Sequence, residues 1–350
     1  MSLLNETLEK IQPLDEKMME TSKKRVDDLL KPVGSLGVLE QIAVQLSGIS
    51  GEMFPDISKK AMLVFCGDHG VFEEGVAAAP QEVTDLMAKM VIEGKSGVAA
   101  LSKQAGADVF VCDVGMMSDL DPKSKILDKK IRKGTSNMRK GPAMSRDEAI
   151  ASLEAGIDLA ERAIKNGYNI LGTGEVGICN TTPSAAIFAA FSGVDPGELV
   201  GAGANLSEEK MINKAQVIRD AIALNKPDKN DAIDVLAKVG GFEIGAMAGA
   251  MIAGAAHHIP VLIDGFISTA AAAVAIALKP EVDGYLICSH ASAERGAAFG
   301  SEFIGAKPFL NMGMRLGEGS GAAIAFNIVE AALYMNREMT TYTAVGLGVV

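Results

Sequence analysis

Hydrophobic and polar positions follow two different periods along the chain. From residue 61 onward, short runs rich in Val, Ile, Leu and Phe alternate with longer stretches in which apolar residues recur at helical spacing. The short runs are typical of buried strands, and the longer stretches predict helices. The predicted strands cover residues 61–66, 109–114, 168–171, 259–263 and 284–288. The predicted helices cover residues 82–104, 146–165, 182–192, 207–224, 243–256, 266–278 and 292–303.

The order of these elements predicts an α/β fold. Strands that alternate with helices over most of a chain favour a doubly wound, mainly parallel sheet with helices on both faces. The chain ends differ, because residues 14–30, 38–46 and 324–335 carry helical patterns without strands between them. The predicted domains are a small helical domain built from residues 1–60 and 322–350, and a large Rossmann-like catalytic domain built from residues 61–321.

Glycine and polar residues collect where the predicted strands end. They form the segments CGDHG at 66–70, GTGEVG at 172–177, GAGAN at 201–205, DGF at 264–266 and SHAS at 289–292. In doubly wound sheets the carboxyl ends of the strands face the ligand crevice. We therefore expect these loops to share one pocket.

Composition and charge limit the kinds of molecule that the protein is expected to bind. The 350 residues include 33 Lys and Arg against 44 Asp and Glu, a net charge of −11, and no block of basic residues. No nucleic-acid partner is expected, since phosphate backbones are bound by clustered Lys and Arg. The longest apolar stretch, residues 266–278, is too short to cross a bilayer. The N-terminal segment lacks the plan of a signal peptide, so we expect a cytoplasmic protein without membrane contact.

A metal site is one interpretation of the polar residues at the strand ends. Asp68, His69 and His290 all follow predicted strands, as ligands of a metallohydrolase would. However, His257 and His258 are adjacent on a helix, where neighbouring side chains point about 100° apart. A three-ligand site is hard to assemble from the four histidines of the chain. Histidines that hydrogen-bond loop backbones are the favoured interpretation, and neither a metal nor a cofactor is predicted.

A glycine motif offers a second function from another class. Gly172, Gly174 and Gly177 match G-x-G-x-x-G after a predicted strand and before a predicted helix, which is the context of a dinucleotide site. Glu175 lies inside the motif and would put a carboxylate where the pyrophosphate approaches the helix. An NAD-dependent oxidoreductase is therefore kept only as an alternative.

Glu318 is a candidate for acid–base chemistry. It lies in the segment RLGEGSGAA, where flanking glycines let backbone and ligand approach closely before an apolar helix begins. A helix N-terminus favours the ionised carboxylate, and burial in an apolar pocket would raise its pKa, as general bases often require. From these residues alone, an ordinary acidic residue of the first helical turn is an equal interpretation.

Eight segments in a fixed order resemble one enzyme family over residues 14 to about 336. They are LLKPVGSLGVLEQIAVQLSGI, CGDHGVFEEGVAAAPQEVT, GEVGICNTTPSAAI, GAGANL, KVGGFEIGAMAG, IPVLIDGFISTAAA, SHASAE and MRLGEGSGAA. Together they resemble the nicotinate-nucleotide:dimethylbenzimidazole phosphoribosyltransferases. The resemblance implies transfer of ribose 5-phosphate from nicotinate mononucleotide to a lower-ligand base of cobamides, with inversion at the anomeric carbon and release of nicotinate. The leaving pyridine is cationic in the nucleotide and departs neutral, so no metal is required.

The resemblance also implies roles for particular residues. Glu318 is the expected base that deprotonates the acceptor, and Glu175 is expected to face the ribose. Lys214 and backbone N–H groups are expected to bind the phosphate, and an apolar slot is expected to hold the aromatic base. The residues expected to bind the substrates are Ala79, Pro80, Met87, Gly174, Val176, Gly177, Asn180, Thr181, Thr182, Gly203, Ala204, Asn205, Lys214, Asp264, Ser292, Met314 and Leu316.

The acceptor stays open at this point. Relatives that use benzimidazoles can carry serine and glutamine where this chain has Ala79 and Met87. A more apolar slot tolerates a phenolic ring, so phenol or p-cresol is an alternative acceptor. The expected assembly is a homodimer, or a heterodimer with a related chain. A non-catalytic subunit is a further alternative, disfavoured because both Glu175 and Glu318 are present.

Overall fold

A single parallel sheet forms the centre of the molecule. The computed structural model describes residues 2–201 and 206–348. The strands in these residues are β1 (Lys60–Gly67), β2 (Ala107–Gly115), β3 (Leu127–Asp128), β4 (Ile170–Val176), β5 (Val261–Ile263) and β6 (Leu286–Cys288). They pair in parallel in the order β3-β2-β1-β4-β5-β6. This order is that of a doubly wound sheet, and the predicted fold class is confirmed.

Helices make up most of the rest of the described chain. They are α1 (Leu3–Lys10), α2 (Glu16–Asp28), α3 (Val38–Ser50), α4 (Val83–Ile92), α5 (Gly97–Gln104), α6 (Arg146–Lys165), α7 (Thr181–Ser192), α8 (Pro196–Leu199), α9 (Glu208–Asn225), α10 (Ala232–Val239), α11 (Phe242–Ala256), α12 (Phe266–Leu278), α13 (Ala297–Phe303) and α14 (Ser320–Glu338). Short 3-10 turns occur at Gly70–Glu74, Pro280–Tyr285 and Thr343–Val345. Among the described helices, none combines the length and apolar character that a membrane span requires.

Side chains on the two faces of β1 enter two separate hydrophobic clusters. Successive residues of a strand point to opposite faces of the sheet. Leu63 and Phe65 pack with residues of α6, α7, α11 and α12. Met62 and Val64 pack with residues of α3, α4, α5 and α14. Helices therefore cover both faces of the sheet, and β1, β4, β5 and β6 are buried throughout, as their continuous apolar runs predict.

The two ends of the chain meet near α2 and α14. The Arg25 side chain donates hydrogen bonds to the carbonyl oxygen of Asn336, and Leu29 forms a β-bridge with Thr341. α14 also packs on the sheet, because Phe326 lies in the same cluster as Met62. The division into a small helical domain and a large catalytic domain stays a prediction.

Several element boundaries differ from those predicted. β4 extends to Val176 rather than ending at residue 171, so Glu175 lies in a strand and not in a turn. The predicted helix 82–104 is two helices, because Gly94 has a φ of 76° and Ser96 caps a new helix. The predicted helix 292–303 begins only at Ala297. The elements α1, α10 and β3 were not predicted, and β3 has only two residues.

Candidate active site

A cavity of about 550 Å³ opens at the carboxyl ends of β4, β5 and β6. It lies beside the point between β1 and β4 where the strand order reverses. Ligands of doubly wound sheets bind at this position. Segments 172–177, 264–266 and 289–292 share this cavity as predicted, but segment 66–70 does not line it, and residues 202–205 lie outside the described residues.

Most of the predicted site residues in the described chain line this cavity. The lining includes Ala79, Met87, Glu175, Val176, Gly177, Asn180, Thr181, Asp264, Ser292, Leu316 and Glu318. Pro80, Gly174, Thr182, Lys214 and Met314 do not belong to the lining. Gly203, Ala204 and Asn205 lie outside the described residues.

Glu318 is held in an unusual backbone conformation. Its φ is 63°, and the flanking Gly317 and Gly319 have φ values of 81° and 100°. A left-handed φ is uncommon for a residue with a side chain. The side chain is buried, and Oε2 accepts a hydrogen bond of 3.0 Å from the backbone N–H of Val98 in the first turn of α5. The Glu318 carboxylate thus lies at the positive end of the α5 dipole.

Glu175 lies directly beside Glu318 at the end of β4. Its Oε1 accepts a hydrogen bond of 3.2 Å from the backbone N–H of Glu318, and its Oε2 accepts one from the Asn180 side chain. Burial and the nearby charge of Asp264 raise the pKa of the Glu175 carboxyl well above its usual range. Gly174 allows this arrangement, because a Cβ there would overlap the carbonyl oxygen of Glu318. Close packing against the Glu318 backbone therefore explains why position 174 is a glycine.

A buried cation lies behind the start of α7. Lys214 of α9 is almost fully buried, and its Nζ donates a hydrogen bond of 2.6 Å to Oγ1 of Thr181. Thr181 is the first residue of α7 and lines the cavity. Burial lowers the pKa of Lys214 to about 8. A helix N-terminus beside a lysine is a favourable place for an anion.

An apolar wall closes the cavity on the side of α4. Ala79 follows the first 3-10 turn, and Met87 projects from α4. The segment that carries Ala79 is held from α9, since Lys210 Nζ donates to the carbonyl oxygen of Ala77 and Asn213 Nδ2 donates to that of Glu74. This wall offers an aromatic ring apolar contact, as the predicted slot requires.

Asp68 and His69 do not line the cavity, and their side chains bind neighbouring segments of the protein instead. His69 Nε2 lies 2.9 Å from Oε1 of the buried Glu243. Burial by itself lowers the pKa of His69, but the charge of Glu243 and its hydrogen bond raise it more, and the net shift is upward. Asp68 accepts hydrogen bonds from the Thr84 hydroxyl and the Met117 N–H. In the described ranges, no group of His, Cys, Asp and Glu is arranged to hold a metal ion.

Some cavity residues were not predicted from the sequence. Cys179, Glu294 and Arg315 all line the cavity, whereas His290, which also lines it, lies in the strand-end segment 289–292 that was expected there. Arg315 lies in the same segment as Leu316 and Glu318, so a charged residue in a glycine-rich loop was an available signal. No pattern distinguished Cys179, whose φ of 80° is visible only in the structure.

Comparisons with known proteins match nearly the whole length of the chain. A family model described as a phosphoribosyltransferase matches residues 11–347. A nicotinate-nucleotide–dimethylbenzimidazole phosphoribosyltransferase of Alkaliphilus metalliredigens is 50% identical over 347 residues, which cover 99% of each chain. One of Clostridioides difficile is 50% identical over 348 residues, 99% of this chain and 100% of that one. The crystal structure of such an enzyme from Thermus thermophilus is 36% identical, covers 96% of this chain and 99% of that chain, and has a TM-score of 0.90.

Proposed function

The chain belongs to the nicotinate-nucleotide–dimethylbenzimidazole phosphoribosyltransferase family, and we propose that it transfers ribose 5-phosphate from nicotinate mononucleotide to 5,6-dimethylbenzimidazole or a similar base. The products are nicotinate and an α-riboside 5-phosphate, which serves as the lower ligand of a cobamide. The observation that carries the proposal is one cavity with two adjoining glutamates, a buried lysine behind a helix N-terminus and an apolar wall. The same observation gives the oxidoreductase alternative no support.

The reaction exchanges one C–N bond for another at C1′ of the ribose. The bond to the pyridine nitrogen breaks, and its electron pair stays on that nitrogen, so the cationic ring leaves as neutral pyridine. A nitrogen of the acceptor base forms the new bond with its lone pair, and the ring loses its N–H proton. We assign this proton to Glu318, because a buried carboxylate that faces the cavity is suited to general base catalysis.

Glu175 acts on the sugar in this proposal. Positive charge develops on the ribose as the pyridine leaves, and an ionised carboxylate close by stabilises that charge. The Glu175 carboxyl lines the cavity and is tied to the backbone of Glu318. The two glutamates therefore act on the two partners of one bond exchange.

The phosphate is assigned to the end of the cavity at α7. Lys214 reaches this end through the Thr181 hydroxyl, and the N–H groups at the start of α7 add partial positive charge. Local donors of this kind offset the acidic charge of the chain as a whole. The family resemblance adds Gly177, Asn180, Thr182, Ser292 and residues 203–205 to this assignment.

The aromatic base is assigned to the opposite wall. Ala79, Met87, Val176 and Leu316 line the cavity there, and the resemblance adds Pro80 and Met314 beside them. Ala79 and Met87 lack polar groups that could bind the second nitrogen of a benzimidazole. This observation is the reason to test phenolic acceptors as well.

We also propose that the enzyme is a homodimer, as the family resemblance implies. Light scattering on the purified chain is expected to give about twice the chain mass of 36.4 kDa. An inactive monomer that gains activity only with a related second chain would indicate a heterodimer instead.

Release of nicotinate tests the proposed function directly. The purified chain is incubated with nicotinate mononucleotide alone, with 5,6-dimethylbenzimidazole, and with phenol or p-cresol, and nicotinate is followed by chromatography. We expect release that depends on the benzimidazole. Glu318→Gln is expected to lower turnover by about 1,000-fold, the middle of the range for loss of a general base, while nucleotide binding is retained. Release mainly with phenols would change the acceptor, and no release with any acceptor would contradict the proposal.

A further inference from the structure

The loop that carries Glu318 does not hold its shape through its own sequence. Three successive residues, Gly317, Glu318 and Gly319, have φ values in the left-handed region. Two of them are glycines, which adopt this region freely and also leave it freely. Such a conformation persists only where surrounding contacts determine it. Contacts from outside the loop must therefore fix the direction of the Glu318 side chain.

The carboxylate of Asp264 supplies one of these contacts and binds the start of α14 as well, while the N–H of Val98 holds Oε2 of Glu318 itself. Oδ2 accepts a hydrogen bond of 3.2 Å from the N–H of Gly319, the residue directly after Glu318. Oδ1 accepts hydrogen bonds of 2.7 Å from Gly321 and 3.2 Å from Ala322, in the first turn of α14. Asp264 follows β5, so its own backbone is anchored at the end of the sheet. One buried side chain thus ties the loop to both the sheet and α14.

Glu175 holds the same loop from the other side. Its Oε1 accepts the N–H of Glu318 at 3.2 Å, and β4 anchors its backbone. The N–H groups of Glu318 and Gly319 therefore bind carboxylates from two different strands. His290 also faces Asp264, with Nδ1 at 3.7 Å from Oδ1. Few of the hydrogen-bonding positions of Asp264 are left for a substrate, since three backbone donors already occupy them.

We propose that Asp264 is a positioning residue for the reaction, and that it acts by holding the loop at Gly319 so that the Glu318 carboxylate faces the acceptor. This inference rests on the proposed function, in which Glu318 is the base. The family resemblance implies that Asp264 binds substrate. Its hydrogen bonds to backbone N–H groups indicate instead that it holds the loop in place. A negative charge is also poorly suited to contact the phosphate of the nucleotide.

Asp264→Asn is the informative variant. The amide keeps the size of the side chain, and its oxygen can still accept from Gly321 and Ala322 as Oδ1 does. Its NH2 group then faces the N–H of Gly319, and two donors cannot bond to each other. The variant therefore loses the contact next to Glu318 and keeps those to α14. If the Asn variant does not fold, the same measurements are made on Asp264→Ser. The smaller side chain leaves room for water at the three N–H groups.

A double-mutant cycle with Glu318→Gln separates positioning from other roles. We expect Asp264→Asn to lower kcat for base-dependent nicotinate release by about 100-fold, a typical cost of a misplaced catalytic group. We expect the dissociation constant of nicotinate mononucleotide, measured by calorimetry without acceptor, to stay unchanged. In the double variant, turnover should equal that of Glu318→Gln alone, because a residue that acts only through Glu318 has nothing left to position.

Two results would overturn the inference. If the losses of the two single variants multiply in the double variant, Asp264 acts independently of Glu318. If Asp264→Asn weakens nucleotide binding and keeps kcat, Asp264 binds substrate. An inactive wild-type chain would instead contradict the proposed function, so the two failures are distinguishable.

Asp113→Asn is the matched control. Asp113 is also buried, and its Oδ1 accepts the N–H groups of Gly115 and Met116 at the end of β2. It does not line the cavity. Asp113→Asn is expected to lower the unfolding temperature without changing kcat. A similar loss of kcat in both variants would assign the Asp264 effect to general destabilisation and overturn the inference.

Discussion

The carboxylate side of the cavity and its apolar side are built in different ways. Glu175 and Asp264 stand at the ends of β4 and β5, and both bind the backbone of the loop that carries Glu318. Ala79 lies in the loop between the first 3-10 turn and α4, and Met87 lies on α4; both are outside the sheet and contribute apolar contact only. The groups assigned to bond exchange are thus fixed by the sheet, whereas the groups assigned to acceptor choice lie on elements that can vary around it.

The two sides also differ in the free-energy cost of burying their side chains. Burial raises the pKa of Glu175 and of Asp264, and the charge of Asp264 adds to the shift at Glu175. Ionised carboxylates in such a position are stable only where donors satisfy them. Backbone N–H groups supply those donors on the carboxylate side. Ala79 and Met87 carry no charge, so the apolar side needs no comparable set of backbone donors.

After Glu318→Gln, the largest effect on the carboxylate side is expected for Glu175→Gln, and it is similar to that of Asp264→Asn. Loss of the carboxylate that stabilises charge on the ribose should lower kcat for nicotinate release by about 100-fold. The pKa of Glu175 is raised, and the ionised form is the active one, so wild-type turnover should fall as pH drops through this raised pKa. In Glu175→Gln this decrease should disappear. Rates measured from acid to neutral pH, with saturating substrates, check both expectations.

Glu198→Gln is the control for Glu175→Gln. Glu198 lies exposed on α8 and does not line the cavity. Its variant should keep both the wild-type rate and the wild-type pH profile. If Glu175→Gln behaved in the same way, the carboxylate side would have no special role in bond exchange, and the contrast between the two sides would fail.

A smaller effect is expected at the phosphate end, from Lys214→Met. Loss of a charged hydrogen-bond donor should raise KM for nicotinate mononucleotide by about 10-fold and leave kcat nearly unchanged. In the wild type, Lys214 carries its proton below pH 8 and loses it as pH rises through about 8, so KM should increase there. The variant should show no such increase.

Lys165→Met is the control for Lys214→Met. Lys165 lies on α6 and pairs with Glu161 at the surface. Its variant should keep the wild-type KM and its rise above pH 8. An unchanged KM in Lys214→Met would separate the buried lysine from substrate binding, and the phosphate would then need another site.

The fold was largely predictable because its signals are local and periodic. Short apolar runs separated by helical stretches are sufficient to indicate a doubly wound sheet, and the alternation seen in Met62 and Leu63 follows from strand geometry. The end of β4 was missed because Gly172 and Gly174 resemble turn residues. They lie instead in a strand, where the missing side chain of Gly174 lets the Glu318 backbone approach.

The site was predictable only in part, for a physical reason. The types of residue at the strand ends indicated Glu175 and Asp264, and a glycine-rich segment before a helix indicated Glu318; the family resemblance supplied their expected roles. The positive φ of Glu318 and the bonds from Asp264 to residues 319–322 depend on tertiary contacts between distant segments. No spacing in the sequence records such contacts. Sequence therefore indicates which groups are present, and structure shows how one group orients another.

The smallest effect is expected on the apolar side, from the double variant Ala79→Ser and Met87→Gln. Polar groups at these positions can form a hydrogen bond with the second nitrogen of a benzimidazole. One buried hydrogen bond changes an equilibrium constant by roughly 3- to 5-fold. The ratio of kcat/KM for 5,6-dimethylbenzimidazole to that for phenol should rise by this amount, while kcat stays close to wild type. Leu86→Gln is the control, because Leu86 is exposed on the same helix and does not line the cavity. An unchanged ratio in the double variant, or an equal change in the control, would mean that acceptor choice does not lie on this wall.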